Sequence, residues 1–156
     1  MSGSRLGFEV HARADAPIEV VWAVLADARG WHTWTRMKRS ELEAEGDPAP
    51  DGVGALRAFS TGPITSRERV TGFEPPHRLT YTLESGLPVE DYRAEVTLAP
   101  DGDATSITWQ SSFARATWPG AGRALRAFLH FAVRDIAGRL AAESTRRAAS
   151  HEGAGT

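Results

Sequence analysis

The chain has 156 residues, about one domain, and its balance of 41% hydrophobic and 24% charged residues is that of an ordinary globular protein. It contains no cysteine, which excludes disulfides, thiolate metal sites and cysteine nucleophiles. A formal charge of −2 leaves no electrostatic footprint for nucleic acid, and no apolar run reaches the roughly 18 residues of a membrane span. Met1 to Gly7 lacks the basic-then-apolar pattern of a secretory signal, so a cytoplasmic protein is expected.

Residues 1–5 and 150–156 are small and polar and are expected to be loose ends around one domain, 6–149. Leu6 to Arg13 alternates, with Leu6, Phe8, Val10 and Ala12 on one face, and predicts a half-buried strand. Asp15 is placed to cap a helix that Pro17 opens and that carries Ile18, Val21, Trp22 and Leu25 at helical spacing. Gly30 ends that pattern, and Trp31 and Trp34 fall on a second short helical turn or loop.

From Lys38 the period shifts to two. Strands are predicted over Ser40 to Glu45, Val53 to Ser60, Ile64 to Phe73, Arg78 to Glu84, Val89 to Ala99 and Thr105 to Phe113. Turn compositions separate them, including Gly62-Pro63, Ser85-Gly86-Leu87-Pro88 and Asp101-Gly102. After Trp118-Pro119-Gly120 a long helix is predicted over Ala121 to Ala149, with Leu125, Leu129, Ala132, Val133, Ile136 and Leu140 in one stripe.

Strands grouped ahead of a final helix argue for an α+β fold with an antiparallel sheet. One amphipathic helix cannot cover such a sheet alone. The economical arrangement is a curved sheet wrapped around the long C-terminal helix, with the two short helices after the first strand plugging one end. That arrangement leaves an internal space, expected to hold an apolar small molecule.

Several motifs strengthen this. Ala16-Pro17-Ile18-Glu19-Val20-Val21-Trp22 with Trp31-His32-Thr33-Trp34, Val53-Gly54-Ala55-Leu56-Arg57-Ala58-Phe59, Arg67-Glu68-Arg69-Val70, Pro76-His77-Arg78-Leu79-Thr80-Tyr81, Gly86-Leu87-Pro88 and Thr105-Ser106-Ile107-Thr108-Trp109 are similar to the START-like superfamily. The chain resembles its helix-grip members of the polyketide cyclase/dehydrase and lipid transport branch over about residues 6 to 148. The resemblance implies the same helix-grip fold and a cavity for a lipid, a polyketide or a similar molecule. It supplies no universal catalytic set.

Strand parity sorts the residues that could line that cavity. Arg57 shares a face with Val53, Ala55 and Phe59, and Glu68 with Ile64 and Val70. If those faces look inward, the two charges meet as an ion pair, because a buried charge needs a partner. The pair is either a bridge within the sheet or a polar anchor with acid/base capacity. Tyr81 and Tyr92 share faces with Leu79, Leu83, Val96 and Leu98, and point either at a ligand or into the core. Trp34, Trp109 and Phe113 offer flat apolar walls, and Leu129 and Val133 lie on the helix stripe. The expected ligand-binding set is therefore Trp34, Arg57, Phe59, Glu68, Tyr81, Tyr92, Trp109, Phe113, Leu129 and Val133. His32, between two tryptophans, is the only histidine with any appeal as a site residue.

Two functions follow from that set. One is a carrier that sequesters an apolar molecule. The other is an enzyme of the aromatase/cyclase type in which Arg57, Tyr81 or Tyr92 polarise carbonyls and Glu68 moves protons. No motif for a metal, nucleotide or other cofactor is present, and none is expected. Phe131, Ala127 and Arg134 fall on the outer side of the helix; a homodimer or a protein partner stays open.

Overall fold

The computed structural model describes residues 5–154. Seven antiparallel strands form one curved sheet in the order β1-β8-β7-β5-β4-β3-β2. They are β1 (Leu6–Ala14), β2 (Arg39–Ala44), β3 (Leu56–Thr61), β4 (Ile64–Glu74), β5 (Arg78–Ser85), β7 (Arg93–Asp101) and β8 (Ala104–Phe113). Two short strands, β6 (Val89–Glu90) and β9 (Arg115–Ala116), pair with each other off the edge of this sheet. Helix α1 (Ile18–Ala26) and a 3-10 turn (Ala28–Thr33) follow β1, and α2 (Gly122–Ala154) closes the chain. This is the α+β helix-grip arrangement expected from the order of periodicities.

The alternation of each strand decides its inward face. Leu79 and Tyr81 on β5, Ala94, Val96 and Leu98 on β7, and Ile107, Trp109 and Phe113 on β8 are all buried. Val10, Trp109 and Val96 lie in one row across β1, β8 and β7, so like faces stack into one core. Leu129, Val133, Ala137 and Leu140 carry the buried stripe of α2. The helix packs chiefly on β1 and α1. Its other flank, with Ala132 and Ile136, stands off the sheet, and that separation sets the cavity.

Two hydrogen bonds fix the plug, the first within it and the second between its entry and β8. Trp31 Nε1 donates to the carbonyl of Leu25 at 2.9 Å, and Thr105 Oγ1 donates to that of Ala16 at 2.8 Å. Each satisfies a buried polar group, which would otherwise cost about 1–3 kcal/mol.

Four sequence expectations are corrected. Strand β3 begins at Leu56, not Val53: Gly54 takes φ +93°, and Val53 turns outward, 47% exposed. The strand predicted over Val89 to Ala99 breaks at Asp91, which adopts φ +53°. Asp91 is held there by Arg5 at 2.6 Å and Arg93 at 2.9 Å, so β6 peels away to meet β9. Helix α1 is entered at Pro17, and Asp15 does not cap it; the Asp15 amide donates to Thr145 Oγ1 on α2 instead. Helix α2 continues to Ala154, so Ser150 to Ala154 are helical rather than a loose tail. The expectation for residues 1–4 and 155–156 lies outside the described residues.

The C-terminal half of α2 carries an acid-sensitive clamp. Arg146 Nε and Arg147 Nε each donate to Glu143 at 2.8 Å. The Arg146 guanidinium, seconded by Arg147, holds the Glu143 carboxyl down at about 2. A depressed carboxylate stabilises the fold above its ordinary value of 4.5, and the contribution is lost as pH falls from there toward about 2. Glu143→Gln should therefore lower the urea midpoint at about pH 7, and the difference from wild type should shrink steadily as pH falls from about 4.5 toward about 2.

Candidate ligand cavity

Strand β3 brings Arg57 inward between Ala55 and Phe59, and all three are buried. In the adjacent strand its register partner is Glu68, next to a bulge that shifts the β4–β5 register between Arg67 and Glu68. Arg57 Nη2 donates to Glu68 Oε1 at 2.7 Å. The two side chains differ in access: Arg57 is 1% exposed and Glu68 14%. The remaining access of Glu68 opens into the cavity, whereas Arg57 lies behind the wall.

Three rings enclose the guanidinium. Its central carbon stands 4.6 Å from the Tyr81 ring, 4.9 Å from Trp31 and 5.2 Å from Phe59. Arg57 Nε finds no hydrogen-bond partner among the described residues. Burial pushes the Glu68 carboxyl above the usual carboxylate range, and the Arg57 charge only partly offsets this.

Two phenols complete the polar floor. Trp109 Nε1 donates to Tyr81 Oη at 3.2 Å, and Tyr92 Oη donates to Ser111 Oγ at 3.0 Å. Burial raises both hydroxyls far above their ordinary value, so each remains a neutral donor at physiological pH.

The cavity measures about 360 Å³, within the range of small-molecule sites. Trp31 and Phe59, stacked with centroids 4.6 Å apart, form one wall. Leu129, Val133 and Ile136 of α2 form the opposite one, and Leu87 of the β5–β6 loop borders it. The result is an apolar chamber with one carboxylate and two phenols at its end. Among the described residues no group of three or more His, Asp or Glu could hold a metal ion.

A second depression, also about 360 Å³, lies on the outer face of the sheet around Thr80, Arg93 and Gln110. It is open to solvent, and its arginines are already committed, Arg78 to Glu74 and Glu95 and Arg93 to Asp91. Its charged side chains are all paired.

Of the ten residues expected to bind ligand, Phe59, Glu68, Tyr81, Tyr92, Leu129 and Val133 line the cavity. Arg57, Trp34, Trp109 and Phe113 do not; all four are buried behind its surface. Trp109 supports Tyr81, and Trp34 packs on Trp31 with centroids 5.2 Å apart. Strand parity gives the side a residue faces, not its depth. His32 faces away from the cavity, its Nδ1 within 2.8 Å of Ser40 Oγ. Trp31, Leu87 and Phe128 are lining residues that sequence reasoning missed. For Trp31 the signal was its position three residues before Trp34, which puts the two rings on one face of a 3-10 turn.

Leu87 is held at the mouth by Gly86, which takes φ +109° and lies so close to the Thr65–Ser66 backbone that no side chain fits. Gly86→Ala should cost about 1–3 kcal/mol and displace Leu87. A thermal melt would register the first effect and altered uptake of an apolar dye the second.

A curved antiparallel sheet that grips a long helix in this way defines a helix-grip fold. Residues 5–145 match the family model for polyketide cyclase/dehydrase and lipid transport, and the chain belongs to that family. Solved structures agree on the fold. A START superfamily protein from Mycobacterium smegmatis superposes with a TM-score of 0.78 at 11% identity, over 92% of this chain and 99% of that one. The di-domain ARO/CYC StfQ from the steffimycin biosynthetic pathway gives 0.75 at 13% identity, over 93% of this chain and 52% of that one. A protein from Thermobifida fusca gives 0.68 at 23% identity, over 86% and 93% respectively. No curated protein matches the chain.

Proposed function

We propose that the protein binds an apolar small molecule, a lipid, polyketide or similar compound, between the sheet and α2. The observation that carries this reading is the chamber itself: aromatic and aliphatic walls, with Glu68, Tyr81 and Tyr92 grouped together and the lining charges Arg36 and Asp135 paired with each other. The apolar body of a ligand would displace water from the walls, and a hydroxyl or carbonyl would meet Glu68, Tyr81 or Tyr92. The absence of cysteine fits a cytoplasmic setting. Native mass spectrometry of protein purified from its own host tests the proposal. A retained apolar mass supports it; bare protein after repeated exposure to host lipid extract counts against it.

A second reading is an aromatase/cyclase-type enzyme, and the raised Glu68 carboxyl beside two phenols favours it. Glu68 would then move protons, and Tyr81 or Tyr92 would hold carbonyl oxygens. Arg57 would act only through Glu68. In that case Glu68→Gln would abolish turnover while binding of an apolar dye persists.

A further inference from the structure

From Tyr92 into β7, alternate residues turn inward: Tyr92, Ala94, Val96 and Leu98 are all buried. On an unbroken strand Glu90 would share that face, two residues before Tyr92, and would bring a second carboxylate toward the lining. The chain avoids this at Asp91. Its φ of +53° is the only positive value at a non-glycine position among the described residues. The reversal turns Glu90 outward, where it pairs with Arg115 of β9. The Ala114 amide donates to the Glu90 carbonyl at 2.8 Å, and the Thr117 amide to that of Pro88 at 2.8 Å. The same divergence carries Leu87 to the cavity mouth, while Tyr92 keeps its place in the lining.

A left-handed aspartate is strained and persists only where its surroundings hold it. Two arginines do so here. Arg5 Nη1 donates to Asp91 Oδ2 at 2.6 Å, and Arg5 Nη2 donates to the Asp91 carbonyl at 2.5 Å. The same guanidinium donates to Ser112 on β8, from Nε to Oγ at 3.1 Å and from Nη2 to the carbonyl at 3.2 Å. Arg93 adds bonds from Nε and Nη2 to the Asp91 carboxylate at 3.1 and 2.9 Å. Arg5 thus grips both the side chain and the backbone of the residue that reverses, and anchors it to β8. Neither Arg5 nor Asp91 lines the cavity.

We propose that Arg5 and Asp91 are positioning residues for the ligand cavity: their clamp keeps the Glu90 carboxylate out of the chamber and sets Leu87 and Tyr92 in its lining. The proposal rests on the ligand-binding reading. A carboxylate without a partner in an apolar chamber holds water there, and an apolar ligand would have to strip that water away. Turning Glu90 outward therefore preserves the wall such a ligand needs. A clamp that served stability alone would shift the melt and leave the affinity of the folded protein unchanged. A positioning clamp alters affinity, and does so through Glu90.

Titration of the full chain with Nile red, well below the melt of every variant, tests the inference. Asp91→Ala removes the clamp and disfavours the left-handed backbone, and should weaken dye binding by about tenfold or more. Arg5→Ala leaves Asp91 in place and should weaken it by about threefold or more. It keeps the test open should Asp91→Ala fail to fold. Glu90→Ala alone should leave uptake at the wild-type level, since Glu90 lies outside the lining. Added to either clamp variant, Glu90→Ala should restore most of the lost affinity while the melt, followed by circular dichroism, stays low. Unchanged dye affinity in the folded clamp variants overturns the proposal, as does a loss that Glu90→Ala fails to repair. Wild-type protein that takes up no dye overturns the ligand reading itself, and this proposal with it.

Discussion

Arg57→Ala is expected to destabilise the fold by about 3–5 kcal/mol, the usual consequence of removing one partner of a buried pair. Glu68 would lose the donor held at 2.7 Å, and three aromatic rings would face an empty volume where the guanidinium lay. Two controls separate charge from packing. Glu68→Gln should cost less, because an amide oxygen still accepts from Arg57. Arg57→Met combined with Glu68→Leu should recover much of the loss, since apolar replacements of a buried pair are often neutral. Urea unfolding measures all three. A wild-type midpoint for Arg57→Ala would sink this account of the pair. The result also decides function: a variant that folds but no longer binds ligand would mean that Arg57 positions Glu68 for the ligand.

Ala132→Trp is expected to weaken uptake of a neutral apolar dye such as Nile red by about tenfold or more while leaving the fold intact. Ala132 lies on the flank of α2 that borders the chamber, and an indole there would grow into empty space rather than into packed atoms. In a filled core the same substitution would strain its neighbours by about 1–3 kcal/mol. The combination of an unchanged melt with lost uptake is therefore diagnostic of a real chamber. Fluorescence titration against wild type reads the uptake. A variant that takes up the dye as before would locate binding elsewhere, and one that unfolds would mean the gap is already filled.

The amino-acid sequence by itself determined the architecture. Alternation in β1, β4, β5, β7 and β8 and the helical stripe of α2 are local patterns, and each commits its segment to one conformation and one buried face. The pairing of Arg57 with Glu68 was legible for the same reason: two charges on apolar faces of neighbouring hairpin strands have no other low-energy solution. Depth was not legible. Phe59 and Trp109 both follow the inward parity of their strands, yet one lines the chamber and the other lies behind it, because depth depends on where α2 crosses the sheet. The break at Asp91 depended on Arg5 and Arg93 converging on it, which no local pattern records. The exposed apolar residues at the mouth followed likewise from tertiary placement: Ile64 and Phe128 are far apart along the chain, and only the closed fold sets them around one opening. Periodicity is a property of a segment, whereas a cavity is a property of the distance between segments.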